Sequence, residues 1–279
     1  MDMNVFKDRF KDDVMIITGA SAGIGAATAI RAAKEGAKVV LVDIKEDLGK
    51  KVVQSINDDG HDAIYLNLDL SVEENSKIMM KKAIEKFGKV TIAINNAGVM
   101  GNPSPVHKLS KKELDFTMEN NFYSVFYCCK YQLDYFLENT INGVIVNNAS
   151  IAGITGLPGN PAYVASKHAV NGLTKNLALD YAKFGIRINS VNPAGTDTPM
   201  VEEAMAFVKA KQEEAMKNGI DPNLLQSMAG QKTKSILKEV SNQDATSNEQ
   251  AASILFLASN DSTHMTGAIM QTDGGWTSF

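Results

Sequence analysis

The sequence predicts a single α/β domain, built as a doubly wound parallel sheet of about seven strands with helices on both faces. Three observations carry this expectation. Short apolar runs alternate with helix-patterned stretches six times along the 279 residues. The runs are continuously apolar, as strands covered on both faces are, and lack the alternation of half-exposed strands. A glycine-rich turn lies directly between the first run and the first helix. Backbone amides at that place can bind anionic ligands.

The elements follow in order. Val14-Met-Ile-Ile17 is the first strand and ends in Thr18-Gly19. Residues 24–35 form an alanine-rich helix closed by Gly36, and Lys38 to Val42 the second strand, ending on Asp43. A mostly polar helix spans 46–59, a third strand Ala63 to Asn67, and a third helix 72–87 before Gly88. Val90 to Ile94 is the fourth strand, with Asn95-Asn-Ala-Gly98 at its end. Residues 110–138 read as one long helix and Gly143 to Asn148 as strand five. A second long helix, 162–184, is closed by Gly185, and Ile186 to Val191 is strand six. A helical excursion of roughly 199–240 precedes helix 247–258 and a last strand near Ala268 to Gln271. No linker or low-complexity segment divides residues 14–279, which read as one domain behind an arm of residues 1–13.

Composition excludes several classes. Hydrophobic residues make up 44% and charged residues 22%, with a net charge of −4. No basic stripe interleaved with aromatics is present, which argues against nucleic-acid binding. No apolar run reaches the ~18–20 residues of a membrane span. The charged start of the chain lacks a signal-peptide core, so a cytoplasmic protein is expected. Cys128 and Cys129 are adjacent and read as reduced, buried thiols. No metal site is expected.

Two motifs carry chemistry. Glycines 19, 23 and 25 allow a tight turn and close approach of a ligand. Gly19, Ser21, Gly23, Ile24 and Gly25 are therefore expected against a dinucleotide, its pyrophosphate at the helix N-terminus. Asp43 follows Gly25 by eighteen residues, where a carboxylate accepts hydrogen bonds from ribose hydroxyls. It also repels the extra phosphate of NADP(H), so NAD(H) is the expected cofactor; Lys45 is a counterweight. The second motif is Tyr163-Val-Ala-Ser-Lys167. Residues four apart share a helix face. A phenol titrates near pH ~10, and a neighbouring ammonium favours its ionised form. The pair is a candidate general acid/base.

With the glycine turn, Asn95-Asn-Ala-Gly98 and Tyr163-x-x-x-Lys167 in this order, residues 14 to 279 resemble the short-chain dehydrogenase/reductase family, with its Rossmann-type domain. The resemblance implies a tetrad. Ser150, thirteen residues before Tyr163, would orient the substrate oxygen. Tyr163 would exchange a proton with it. Lys167 would lower the Tyr163 pKa and hold the nicotinamide ribose. Asn121 would hold a water in a proton relay, although Asn120 is its direct neighbour. Asp69 and Leu70 would meet the adenine, and Asn96, Ala97 and Gly98 would line the cofactor with backbone. Pro193-Ala-Gly-Thr-Asp-Thr198 resembles the segment that meets the nicotinamide carboxamide. Ala194 replaces the glycine that usually follows the proline, so both Thr196 and Thr198 stay candidates.

The substrate is expected under the excursion that begins at Met200, which carries Met205, Met216 and Met228. Methionines suit adaptable apolar surfaces, and Leu157, Pro158 and Val164 can add an apolar wall. No basic residue stands out as an anchor for an anionic group. A fairly large apolar secondary alcohol or ketone is expected, with a hydroxysteroid as the leading example. Acyl-carrier and sugar or polyol substrates, and a non-catalytic nucleotide sensor, are the alternatives. Val5, Phe6 and Phe10 give the arm an apolar stripe that should pack on the subunit or a neighbour, the cofactor cleft being one place for it. By resemblance, helices 110–138 and 162–184 would pair subunits into a homotetramer or homodimer.

Overall fold

In a computed structural model, residues 5–217 and 244–278 are described. The strands are β1 (Val14–Thr18), β2 (Lys38–Asp43), β3 (Ala63–Asn67), β4 (Ile92–Asn95), β5 (Val144–Asn148), β6 (Arg187–Pro193) and β7 (Ile269–Thr272). The helices are α1 (Gly23–Lys34), α2 (Glu46–Asp58), α3 (Glu73–Phe87), α4 (Lys111–Met118), α5 (Ser124–Glu138), α6 (Pro161–Tyr181), α7 (Pro199–Lys217) and α8 (Ser247–Ala258). Of the expected substrate cover, residues 218–240, Met228 among them, lie outside the described residues.

All seven strands pair in parallel in the order β3-β2-β1-β4-β5-β6-β7. The chain runs outward from β1 in one direction, then returns to its other side with β4. The crevice at the C-terminal ends of β1 and β4 is where this topology receives ligands. The continuous apolar runs are explained by two separate cores. On one face Ile16, Val40, Ala93 and Ile145 pack with Met79, Leu133, Phe136 and Val170 of α3, α5 and α6. On the other, Met15, Ile17, Leu41 and Ile94 pack with Ala29, Ala33, Ile254 and Leu257 of α1 and α8. Consecutive strand residues thus face opposite cores.

Two features depart from the sequence expectation. The stretch 110–138 is not one helix: a π turn over Glu119–Tyr123 separates α4 from α5. An apolar periodicity does not register one extra residue per turn. The second long helix stops at Tyr181 and ends in a 3₁₀ turn, Ala182–Phe184, before Gly185 at φ +74°.

The arm packs on its own subunit, at the end of the sheet opposite the glycine turn. Phe10 is 1% exposed within the α1/α8 core, and its amide donates to the Glu35 carbonyl at 2.8 Å. The Glu35 carboxylate is fully buried. It accepts from Arg31 Nε at 2.9 Å, Arg9 Nε at 2.7 Å and the Phe6 amide at 3.4 Å. Glu35 closes α1 at the end remote from its N-terminus. A buried carboxylate needs such partners, and this need holds the arm away from the cofactor cleft. Cys128 and Cys129 are free and buried; burial pushes the Cys128 thiol up to about 12.

Candidate active site

The glycine turn forms a cradle that no larger residue fits. Gly19 has φ +63°, and a Cβ there would lie 2.8 Å from Ala97 Cα. A Cβ on Gly25 would lie 2.1 Å from the Gly19 carbonyl oxygen. Helix α1 starts at this turn with no side-chain cap and no acidic residue in its first turn. Helices α4 and α8 have complete capping boxes, Ser110/Glu113 and Thr246/Glu249. The first amides of α1 are thus left without a side-chain acceptor, which suits the pyrophosphate of a dinucleotide.

Asp43, at the C-terminal end of β2, leans on the same turn. Its carboxylate accepts from the Ser21 amide and the Lys45 amide, each at 3.0 Å. The Tyr65 hydroxyl donates to the Asp43 carbonyl at 2.6 Å. Gly49 makes room for that ring, since a Cβ there would lie 2.0 Å from it. The carboxylate stays half-buried, oriented and reachable. Asp69 is exposed and accepts from the Ser71 amide and hydroxyl at 3.0 and 2.7 Å. The Leu70 side chain is 6% exposed and belongs to the core.

A chain of hydrogen bonds joins the turn to Lys167. Thr18 Oγ1 accepts from the Asn96 and Ala97 amides at 2.9 and 3.0 Å. Asn96 Nδ2 donates to the carbonyls of Thr18 and Gly19. Asn148 Nδ2 donates to Asn96 Oδ1 at 2.7 Å, and Lys167 Nζ donates to the Asn148 carbonyl at 3.0 Å. Asn148 Oδ1 is buried and has no partner, an exception that calls for a ligand or water. Thr18 and Asn148 escaped the sequence reading. The available signal was polar residues ending otherwise apolar strands.

The four tetrad residues gather at this end. Ser150, Tyr163, Lys167 and Asn121 are 9%, 8%, 4% and 0% exposed. Lys167 Nζ lies 5.7 Å from the centre of the Tyr163 ring. Ser150 caps the 3₁₀ turn Ile151–Gly153, its Oγ accepting from the Ala152 amide at 3.1 Å. That turn is pressed onto α6: a Cβ on Gly153 would lie 2.6 Å from the Lys167 carbonyl oxygen. Asn171 Nδ2, on α6, also donates to the Gly153 carbonyl at 3.0 Å. The strand-end serine is thereby fixed against the helix that carries the tyrosine.

The electrostatics differ from the sequence expectation. Burial pushes the Tyr163 phenol up, and the Ser150 hydroxyl beside it pulls it down by less. Burial also pushes Lys167 down to about 8. In the protein alone, burial thus leaves the phenol above its ordinary range. The ammonium is engaged by the Asn148 carbonyl.

The π turn separates the two neighbouring asparagines. Asn121 Oδ1 accepts from the Val99 amide at 2.7 Å, and its Nδ2 donates to the Val99 carbonyl and Ser166 Oγ at 2.8 and 3.0 Å. The Asn120 side chain donates back to the Phe116 carbonyl. Asn121 thus pins the segment after β4, where a Cβ on Gly98 would lie 3.0 Å from Asn121 Oδ1 and 3.5 Å from Lys167 Nζ. π turns of this kind are frequent at functional sites.

Pro193 ends β6. Thr196 is 3% exposed and its hydroxyl turns back to the Ala194 carbonyl at 3.1 Å. Thr198 faces the glycine turn, its Cγ2 3.3 Å from where a Gly23 Cβ would sit. Met205 and Met216 of α7 are 56% and 58% exposed.

Residues 13–209 match the model of the short chain dehydrogenase family. The chain belongs to that family. It is 42% identical over 273 residues to a 3beta-hydroxysteroid dehydrogenase of Mediterraneibacter gnavus, with 97% of each chain covered. The crystal structure of levodione reductase superposes with a TM-score of 0.85 at 31% identity, covering 96% of this chain and 99% of that one. A 3-ketoacyl-(acyl-carrier-protein) reductase from Brucella melitensis complexed with NADH superposes with a TM-score of 0.79 at 28% identity, covering 96% and 99%. The chain is an oxidoreductase of CH–OH groups with a nicotinamide cofactor. Among the described residues no helix is long and apolar enough to cross a membrane, and no cluster of His, Cys, Asp or Glu could hold a metal.

Proposed function

We propose that this dehydrogenase uses NAD(H) and interconverts a secondary alcohol and a ketone on a fairly large apolar substrate, a hydroxysteroid being the leading example. The observation that carries the reaction is Ser150, Tyr163 and Lys167 held together at the glycine cradle. Gly19, Ser21, Gly23, Ile24 and Gly25 hold the pyrophosphate side, Asp43 the adenosine ribose, and Asn96, Ala97 and Gly98 the inner wall. Pro193, Thr196 and Thr198 stand on the nicotinamide side, with Asp69 and the Leu70 backbone at the adenine. The nicotinamide, when bound, exchanges a hydride with the carbinol carbon and, when oxidised, adds positive charge that favours the phenolate.

Tyr163, neutral in the protein alone, donates its proton to a ketone oxygen in the reducing direction. Ser150 donates to the same oxygen as negative charge builds on it. Lys167 holds a ribose hydroxyl and favours recovery of the phenolate in the oxidising direction. The Asn121 side chain bonds Val99 and Ser166 and keeps one Oδ1 lone pair open, and Asn121 holds a water in a proton relay.

For the cofactor, the support is the Asp43 carboxylate, which the Ser21 and Lys45 amides orient at the C-terminal end of β2. For the substrate, it is the likeness to the Mediterraneibacter gnavus enzyme along nearly the whole chain. Leu157 and Val164 are half-buried and add an apolar wall. The same reading places the protein in the cytoplasm as a homotetramer or homodimer. Exposed Tyr123, Phe126, Leu179 and Phe184 on and beside α5 and α6 supply the surface for pairing. Turnover is to be screened with hydroxysteroids, sugars and 3-oxoacyl thioesters. Steroid oxidation with NAD above the other classes is the expected outcome. Steroid rates at background with good rates on thioesters or sugars would overturn the substrate assignment.

A further inference from the structure

We infer that Glu203, in the first turns of α7, is a cofactor-selectivity residue that acts by neutralising Lys45. This goes beyond the NAD(H) reading of Asp43 and rests on it. The backbone of Lys45 is part of the ribose rim. Its amide donates to Asp43 Oδ1 at 3.0 Å, and its carbonyl accepts from Ser21 Oγ at 3.2 Å. Its side chain leaves this rim and meets Glu203 Oε1 at 3.4 Å, 158 residues further along the chain.

The meeting is set by the fold on both sides. The chain entering α7 lies on the glycine turn, with Thr198 Cγ2 and Pro199 Cδ 3.3 and 3.8 Å from the position of a Gly23 Cβ. That contact places the first turns of α7 beside the end of β2. Lys50, the next lysine along α2, is already paired with Glu46 at 2.6 Å. Lys45 is thus the cation best placed to greet a 2′-phosphate on the adenosine ribose, and Glu203 cancels its charge. Both side chains are solvent-exposed, 48% and 70%. The effect is therefore modest, comparable with an exposed ion pair, and reaches only about 8 Å at physiological salt. Asp43 repels the phosphate from the rim, and Glu203 removes the compensating attraction. Neither the spacing of Glu203 in the sequence nor its distance from the tetrad marks it as a cofactor residue.

The test is fluorescence titration of the wild type, Glu203→Gln, Lys45→Gln and the double variant with NADH and NADPH. Wild type should bind NADH more tightly. Glu203→Gln should tighten NADPH by about three- to fivefold at low salt, with NADH changed less than about twofold. The gain should vanish in the double variant and shrink at about 0.5 M salt. A wild type that prefers NADPH would overturn the NAD(H) reading and this inference with it. A wild type that prefers NADH, with an unchanged cofactor ratio in Glu203→Gln, would overturn the role of Glu203 alone. An equal change for both cofactors would do the same, because it marks Glu203 as a support of the cover.

Discussion

Helix α1 has a carboxylate beside each end, and the two are treated in opposite ways. At its C-terminal end Glu35 is fully buried and engaged by Arg9, Arg31 and the Phe6 amide. At its N-terminal end Asp43 is half-buried, held by two backbone amides that orient it without closing it off. The contrast extends to the surroundings. Around Glu35, the arm packs Phe10 into the core and Arg9 over the Phe6 and Phe10 rings at 4.8 and 5.0 Å. Around Asp43 and the cradle, the first amides of α1 lack a side-chain cap and Asn148 Oδ1 lacks a partner. One end is satisfied by its own chain and serves stability. The other keeps hydrogen-bonding capacity open and serves a ligand.

This division can be broken experimentally. The largest effect is expected at the closed end. Glu35→Ala removes the buried carboxylate that Arg9 and Arg31 share and should cost about 3–5 kcal/mol of stability. Denaturant unfolding reads the loss, while kcat/KM per folded molecule should hold. A variant that stays stable yet loses activity would put Glu35 on the functional side. At the open end, Gly25→Ala drives a methyl into the Gly19 carbonyl. It should weaken NADH binding by about 2–3 kcal/mol, or roughly 30- to 150-fold. The clash with backbone should lower its Tm as well; a drop in Tm with normal NADH affinity would mean that the turn serves folding alone.

The smallest effect concerns Lys167, a charge kept at the open end at a cost to stability. Its pKa is pushed from 10.5 down to about 8 by burial. Below pH 8 both folded and unfolded chains hold the proton, so the burial penalty is complete. Between about 8 and 10.5 the unfolded chain binds a proton that the folded chain lacks, so stability rises with pH. Lys167→Met should therefore be more stable than wild type at pH 7, by on the order of 1 kcal/mol. The margin should shrink as pH approaches 10. Denaturation curves at the two pH values check this, and a margin independent of pH would contradict a buried ammonium.

Much of the open end was legible in the sequence, because it is built from residue types with few substitutes. Gly19 and Gly25 are required by close backbone approach, and Tyr163 and Lys167 by helical spacing. The alternation of strands and helices was legible because strands covered on both faces must be continuously apolar. The π turn at Asn121 was not, since α4 and α5 share a helical periodicity across it. The place of the arm depended on Glu35, whose partners Arg9 and Arg31 lie 26 and 4 residues away, a pattern with no local signature. The tie between Lys45 and Glu203 is equally invisible without the contact of Thr198 with the glycine turn. The burial of Tyr163 was not legible, because spacing reports a neighbouring charge and is silent on desolvation.

The central claim is that Tyr163 moves the proton while the cradle holds the cofactor. Replacing Tyr163 with Phe and measuring kcat beside the NADH dissociation constant tests it most directly. The expected result is a fall in kcat of about 10²–10⁴-fold with NADH affinity within about twofold of wild type. Near-normal turnover in Tyr163→Phe would contradict the account.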